Sequence, residues 1–392
     1  MTIRYLHVIH SLDPRWGGPA EGVKQFAGAA MRLNHNVEIA TFEPPDAPWA
    51  EEFECPIHYI GPAYLKYGYA PRFSTWLRRN VARFDAVVVN GIWQYHSFTT
   101  WRVLRDSHIP YYVFTHGMLD PWFKRRYPLK HMKKLLYWPW AEYRVLRDAR
   151  AVLFTSEEER QLARRSFGLY RANELVVSYG VAPATGDHAH ERETFLKQFP
   201  MLREKRLLLF LGRLHAKKGC DLLIGAFAQV ARRDRSLRLV IAGPDQGGLR
   251  RSLTALSEQL GVADSIVWTG MLGGVLKRGA LRAAEAFVLP SHQENFGLAV
   301  AESLSCGVPV LISDKVNIWR EILEDHAGLV ADDTLAGTTR LLEDWLSMSP
   351  AGRQRIASNA QACFTRRFHS DAAARSLLSA IERGGTERRQ VA

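Results

Sequence analysis

Arg206-Leu207-Leu208-Leu209-Phe210-Leu211-Gly212-Arg213-Leu214-His215-Ala216-Lys217-Lys218-Gly219 is the stretch from which the architecture is read. After Arg206 the run is apolar without polar alternation, the pattern of a strand buried on both faces. Gly212 breaks the run, a basic turn follows, and residues 221–232 have the periodicity of a helix. A second apolar run, Leu237-Arg238-Leu239-Val240-Ile241-Ala242, comes next. Strand, turn, helix and strand in that order form a βαβ unit, whose strands lie parallel.

The same alternation extends outward in both directions. Short apolar runs fall at 5–9, 36–41, 86–89, 111–115, 151–155 and 175–177, with helical stretches such as 20–33 between them. Downstream, a helix is expected at 249–260 and strands at 266–269, 286–289 and 308–312. A break in composition between Gly180 and Arg206, with Pro183, Gly186, His188 and His190, separates the two series. The expected fold class is α/β, with two Rossmann-like, doubly wound parallel-sheet domains facing a cleft. Residues 1–186 form the first domain, 187–365 the second, and 366–392 a C-terminal helix with a basic tail. Open α/β sheets bind ligands beyond the carboxyl ends of their strands, so the loops there are where chemistry is sought.

Composition narrows the function classes. The 392 residues carry 52 Lys and Arg against 40 Asp and Glu, a formal charge of +12, so an anionic partner is expected. The four cysteines, Cys55, Cys220, Cys306 and Cys363, are widely spaced and fit neither a disulfide framework nor a thiolate zinc site. No apolar run approaches the ~18 residues of a membrane span, and the N-terminus does not read as a secretory signal. A cytoplasmic protein is expected.

Two loops carry chemistry. Residues 212–219 put Arg213, Lys217 and Lys218 between glycines at the entry to a helix, where unpaired N–H groups and the helix dipole favour an anion. Arg offers a fork for phosphate oxygens and Lys a point charge, so a diphosphate would suit this turn; a solvated basic turn is the alternative. Residues 290–302, Pro290-Ser291-His292-Gln293-Glu294-Asn295-Phe296-Gly297-Leu298-Ala299-Val300-Ala301-Glu302, leave Glu294 in a loop and put Glu302 inside the following helix. Such an acid could accept hydrogen bonds from ribose hydroxyls. Surface carboxylates on an amphipathic helix are the plainer reading.

The two glutamates, followed by Ser303-Leu304-Ser305-Cys306-Gly307-Val308-Pro309, resemble the E-x7-E signature of retaining family-4 glycosyltransferases of the GT-B fold. The resemblance runs nearly the full length. It includes His10-Ser11-Leu12-Asp13-Pro14-Arg15-Trp16-Gly17-Gly18-Pro19, Phe114-Thr115-His116-Gly117-Met118-Leu119, the 212–219 turn, Ala242-Gly243-Pro244-Asp245 and Val267-Trp268-Thr269-Gly270. It implies a nucleotide-diphosphate sugar, UDP- or GDP-hexose, as donor substrate, and a C-terminal helix crossing back to the N-terminal domain. Arg213 and Lys218 would hold the diphosphate, with Glu294 and His116 on the transferred sugar; these four are the implied catalytic residues. Donor binding would add Gly17, Gly18, Gly270, Met271, Asn295, Phe296, Gly297, Leu298 and Glu302. Thr115 stands where the family has Pro, Asn295 where many relatives have Gly, and Asp245-Gln246-Gly247 replaces the commoner order at that turn. The chain contains no D-x-D triplet, so no metal and no cofactor are expected, with Arg213 and Lys218 taking the role of a metal clamp. A histidine after a strand is also a common structural hydrogen-bonder, and His116 alone would not decide.

Residues 121–150 hold nine Lys and Arg against Glu142 and Asp148, interleaved with seven aromatics. Lys124, Arg125, Arg126, Lys130, Lys133, Lys134, Trp138 and Trp140 are the expected contacts to an anionic membrane surface or an acceptor; packing of the aromatics into the core is the alternative. No nucleic-acid-binding motif is present. The sequence thus points to a retaining hexosyltransferase, peripheral on the inner face of the plasma membrane, acting on a saccharide or lipid-linked saccharide in exopolysaccharide or lipopolysaccharide assembly. A nucleotide-sugar 2-epimerase on the same fold and a non-catalytic nucleotide-sugar-binding protein stay open.

Overall fold

The computed structural model describes residues 2–47, 49, 53–245 and 247–389; Gln246 and tail residues 390–392 lie outside them. Contacts divide the chain into two compact units, Met1–Ala182 with His369–Ala392, and Pro183–Phe368.

The first unit is built on parallel strands β1 (Arg4–Ile9), β2 (Asn36–Thr41), β3 (Ile57–Tyr59), β4 (Ala86–Asn90), β5 (Tyr111–Phe114), β6 (Ala151–Phe154) and β7 (Glu174–Val176). Their order across the sheet is β3-β2-β1-β4-β5-β6-β7. Apolar side chains on both faces explain why the central strands read as unbroken hydrophobic runs: every residue of β4, β5 and β6 is buried. Leu6, Val8, Val87, Val89, Val113, Val152 and Phe154 form the middle of one core layer.

The second unit repeats the plan with β8 (Arg206–Leu211), β9 (Leu237–Ala242), β10 (Ile266–Gly270), β11 (Ala286–Leu289), β12 (Val310–Ser313) and β13 (Gly328–Ala331), in the order β10-β9-β8-β11-β12-β13. All the pairings are parallel, with Leu208 opposite Ala286 and Leu209 opposite Phe287. Both sheets are therefore doubly wound and Rossmann-like. The winding direction reverses between β1 and β4 in one and between β8 and β11 in the other, and such a switch point opens a crevice at the strands' carboxyl ends.

The C-terminal helix, Ser370–Arg389, belongs to the first unit, as the GT-B resemblance implies. It packs on the helix Gly18–Arg32. Ser370 N donates to Val181 O at 2.9 Å, Arg32 Nη2 to Asp371 Oδ1 at 2.7 Å, and Tyr112 Oη to Ala380 O at 3.2 Å. Gly22 inside Gly18–Arg32 has a packing reason: a Cβ there would lie 1.4 Å from Tyr179 Oη.

Two strands escaped the sequence reading. The edge strand β3 is three half-buried residues, too short to show a period. The other, β13, is four residues beginning at Gly328, whose missing Cβ lets it approach Val310 O.

Candidate functional site

In the second unit the two loops singled out above leave adjacent strands. Residues 212–219 follow β8 and residues 290–297 follow β11, so the switch point brings them together although they are far apart in sequence. Gly219 fits the first loop to the second: its φ is +66°, and a Cβ would sit 2.2 Å from Pro290 O. His292 N donates to Lys217 O at 2.7 Å.

Lys218 Nζ donates to Glu294 Oε2, and both side chains are largely buried. Burial opposes ionisation of Glu294. The charges of Lys218 and Lys217, the hydrogen bond from Lys218 and the charge of Arg213 outweigh it and hold the carboxyl below its ordinary value. Glu294 is fixed from behind: its N donates to Lys315 O at 2.9 Å, and its carbonyl accepts from Asn317 N at 3.0 Å. Lys217 Nζ donates to Gln293 Oε1 at 3.2 Å, and His215 Nδ1 accepts from Lys217 N at 3.1 Å. Burial, then Lys217, Arg213 and Lys218, depress the His215 imidazole, so this turn adds no histidine cation near neutral pH.

The helix Leu298–Ser305 starts here, with Gly297 at its N-cap (φ +77°) and no side-chain hydrogen bond on the cap. Its first N–H groups suit an anion. Glu302, inside the helix as expected, accepts from Lys277 Nζ at 2.8 Å. Asn295 Oδ1 accepts from Asn317 Nδ2 at 3.4 Å, and the Phe296 ring is buried edge-on against Phe368. Gly270 ends edge strand β10 with φ +71°, and Met271 beyond it is exposed. Arg213, Lys218 and Glu294 thus share the switch point, while Gly270 and Met271 lie two strands away.

In the first unit His116 follows β5 with φ +47°, a conformation that is sparsely populated for side-chain-bearing residues and recurs at functional sites. Its ring stacks on Phe114 at 5.4 Å and meets Tyr179 edge-on at 6.1 Å. Nε2 lies 3.3 Å from Asn90 Oδ1 at the end of β4. Asn90 Nδ2 is directed at His7 Nδ1 (3.0 Å) and Val88 O (3.2 Å), which assigns the amide and makes His116 Nε2 the donor. Nδ1 of His116 is then the acceptor.

The turn is held by Glu159, a buried carboxylate absent from the sequence motifs. It accepts from Thr115 Oγ1 and Gly117 N at 2.7 Å and from Thr155 N and Oγ1 at 2.8 Å. The threonine that departs from the family pattern is thus one of the turn's anchors. Glu43 plays the same part for the loop before Gly17 and Gly18, accepting from Ser11 Oγ at 2.6 Å, Leu12 N at 2.9 Å and Asp13 N at 3.1 Å. Gly17 itself has φ +90° and opens the helix Gly18–Arg32.

Burial pushes the imidazoles of His7, His96 and His116 down to about 3, with His116 adding to the effect on His7 and His10 to that on His96. The unfolded chain protonates them near pH 6.5 and the folded chain does not. Their contribution to stability is therefore present above about pH 6.5 and is lost as pH falls toward about 3. The urea midpoint should be lower at pH 5 than at pH 7.5; equal midpoints would contradict the neutral, buried histidines.

The basic aromatic segment divides. Trp138, expected at a membrane or acceptor, is in the core: its indole stacks on Phe167 at 4.4 Å and donates to Gly168 O at 3.0 Å. The reason is the apolar layer of Trp93 and Phe167 that it packs against. Trp140 is exposed, and the helix Pro128–Tyr137 buries none of its residues and exposes Leu129, Met132, Leu135 and Leu136. Lys124, Arg125, Arg126, Lys130 and Lys133 are exposed, while Lys134 lies over the Trp93 ring at 4.4 Å. Among the described residues no group of three His, Cys, Asp or Glu is placed to hold a metal, and no helix is long and apolar enough to cross a membrane.

The family described as glycosyl transferases group 1 matches residues 191–362, and that described as glycosyl transferase 4-like domain matches residues 17–180. A D-inositol 3-phosphate glycosyltransferase of Actinosynnema mirum is 32% identical over 259 residues, 61% of this chain and 58% of that one. An alpha-D-kanosaminyltransferase of Streptomyces kanamyceticus is 30% identical over 56% of this chain and 57% of its own. The chain thus spans a little over half the length of these curated relatives. Among solved structures, sucrose-phosphate synthase from Thermosynechococcus elongatus superposes with a TM-score of 0.74 over 99% of both chains at 18% identity. Anabaena HepE, solved with UDP and glucose, gives 0.76 over 97% of this chain and 99% of its own at 16% identity. At such identities the likeness is one of fold.

Proposed function

The chain belongs to the group 1 glycosyltransferases, with a glycosyltransferase 4-like domain in its first half, and on that footing we propose that it is a retaining hexosyltransferase. It moves a hexose from a UDP- or GDP-sugar to a hydroxyl of a saccharide or lipid-linked saccharide, in cell-surface polysaccharide assembly. The observation that carries the reading is the Lys218–Glu294 pair at the β8/β11 switch point, within the field of Arg213 and Lys217. Cleaving a sugar–phosphate bond places negative charge on the leaving diphosphate and positive charge at the anomeric carbon. Fixed cations beside a helix N-terminus answer the first, and an ionised carboxylate facing the sugar suits the second. Glu302 on the same helix would take the ribose and His116 a sugar hydroxyl. The UDP bound in HepE supports a nucleotide-diphosphate sugar as donor.

A thermal-shift screen against nucleotide sugars tests the donor. The cognate one at a hundredfold its Kd should stabilise the fold by about 2.7 kcal/mol. No shift with any nucleotide sugar would contradict the reading.

The exposed leucines and lysines of Pro128–Tyr137 support the membrane arm of the proposal. Flotation with vesicles containing anionic lipid should recover the chain in a salt-sensitive manner. Leu129→Glu with Leu136→Glu should weaken recovery at least about tenfold, from the lost burial of two leucines. Recovery independent of salt and of these leucines would count against a membrane role for this helix.

A further inference from the structure

In the second unit the helix Gly274–Ala283 begins just past the Gly270–Met271 turn at the end of edge strand β10, and the helix Leu298–Ser305 begins at the β8/β11 switch point. An ion pair joins the two helices near their starts. Lys277 Nζ donates to Glu302 Oε1 at 2.8 Å, with the lysine side chain 29% and the glutamate side chain 16% exposed. We infer that Lys277 is a positioning residue of the donor site: it fixes the Glu302 carboxylate for the ribose hydroxyls and so sets a preference for ribonucleotides over deoxyribonucleotides. The inference rests on the proposed reading of Glu302 as the ribose ligand and adds the residue that makes this carboxylate selective.

Three observations carry it. First, the helix that bears Lys277 is fixed from behind. Arg282 Nε donates to Glu191 Oε2 at 2.7 Å and Arg278 Nε to Glu191 Oε1, and Glu191 is buried. Gly279 lets this helix close on the helix His188–Gln198, since a Cβ there would lie 2.2 Å from Glu191 O. Lys277 is thus a cation on a rigid support. Second, the pair immobilises a long side chain. A glutamate that orders only on meeting its ligand loses rotamer freedom at that moment, and one already held does not. A carboxylate has about four lone-pair sites, so an ammonium on Oε1 does not exhaust its capacity to accept from hydroxyls. Third, Glu302 stands on the same short helix whose N-terminus suits a diphosphate. The ammonium balances the carboxylate, so an acceptor for hydroxyls can sit there without repelling the phosphates. An exposed pair between helices contributes little to stability. This one is partly buried, and its effect is expected in the choice of ligand rather than in the melting temperature.

The test titrates the full chain by calorimetry with UDP and GDP and with their 2′-deoxy and 3′-deoxy forms. The parent should bind the ribonucleotide at least about tenfold more tightly than the weaker deoxy form, the scale of one hydrogen bond to a charged group. Lys277→Met should shrink that ratio to within about threefold. Lys277→Arg, which keeps a cation at a partly exposed position, should retain most of it. In a Glu302→Gln background Lys277→Met should leave the ratio unchanged, because the lysine acts through the carboxylate. The ratio is read within each variant, so a loss of folded protein does not alter it. Weakening of ribo and deoxy forms alike in Lys277→Met, with the ratio kept there and lost in Glu302→Gln, would make the pair merely structural and overturn the role of Lys277 while keeping Glu302 on the ribose. A further fall of the ratio in the double variant would overturn it too, by putting Lys277 itself on the ribose. No ribonucleotide preference in the parent, a ratio unchanged in Glu302→Gln, or no binding of either nucleotide would remove the ribose reading and the inference with it.

Discussion

Lys218→Ala is expected to lower turnover about 10²–10³-fold, the cost of removing one preorganised donor from a developing negative charge. Lys218 is held in place before any substrate arrives, being largely buried and in contact with Glu294. Its loss acts twice. The leaving diphosphate loses a fixed cation, and Glu294 loses its main counter-charge while burial still opposes its ionisation. The Glu294 carboxyl should then rise toward or above its ordinary range, and the rate remaining in the variant should acquire a pH dependence that the parent lacks. Lys218→Arg should recover little, because the lysine reaches a single carboxylate oxygen past Gly212 and a guanidinium fork is bulkier. The check is kcat from nucleoside diphosphate release, with urea unfolding to show that the fold survives. Turnover within about threefold of the parent would remove Lys218 from the mechanism.

His116→Gly should cut turnover about 10²-fold under conditions where urea unfolding shows the variant still folded, although the lost ring contacts lower its stability. Glycine is the informative replacement because φ is +47° there, so the backbone keeps its turn while the ring goes. The ring is neutral near pH 7, with Nε2 donating to Asn90 and Nδ1 left to accept a hydroxyl. On the proposed reading it would orient substrate rather than supply a charge, and the parent's pH–rate profile should show no limb from His116 between about pH 5 and 9. Asn90→Asp offers an independent check: a carboxylate there would favour the protonated imidazole and introduce such a limb. Full activity in His116→Gly would make the histidine a packing residue between Phe114 and Tyr179.

The sequence shows the sheets because their strands are buried on both faces, which turns 86–89 and 207–211 into uninterrupted apolar runs. Placement of Arg213, Lys218, Glu294 and Glu302 on loops and a helix is legible for the same reason: each motif directly follows such a run. The carboxylates that hold the loops are not legible. Glu159 and Glu43 are ordinary acids in polar stretches, and only the fold brings Glu159 to Thr115 and Gly117, and Glu43 to Ser11 and Leu12. Lys277 was missed likewise, since its partner Glu302 lies on a different helix. Trp138 shows the limit of composition: interleaved aromatics and cations look alike whether they face lipid or core, and here Trp138 packs inward while Leu129, Leu136 and Trp140 face outward. Asn90 left a usable trace, as a polar residue closing an apolar run next to the switch point.

The most direct measurement incubates the purified chain with UDP- and GDP-hexoses, with and without a lipid-linked saccharide. Nucleoside diphosphate and glycosylated product are counted together, and the product anomer is read by NMR. One nucleoside diphosphate released per sugar transferred, only when acceptor is present and with the donor's anomeric configuration kept, is the predicted result. An inverted anomer would remove retention. Isomerisation of the donor without acceptor, or binding of nucleotide sugars with no turnover under any pairing, would contradict sugar transfer itself.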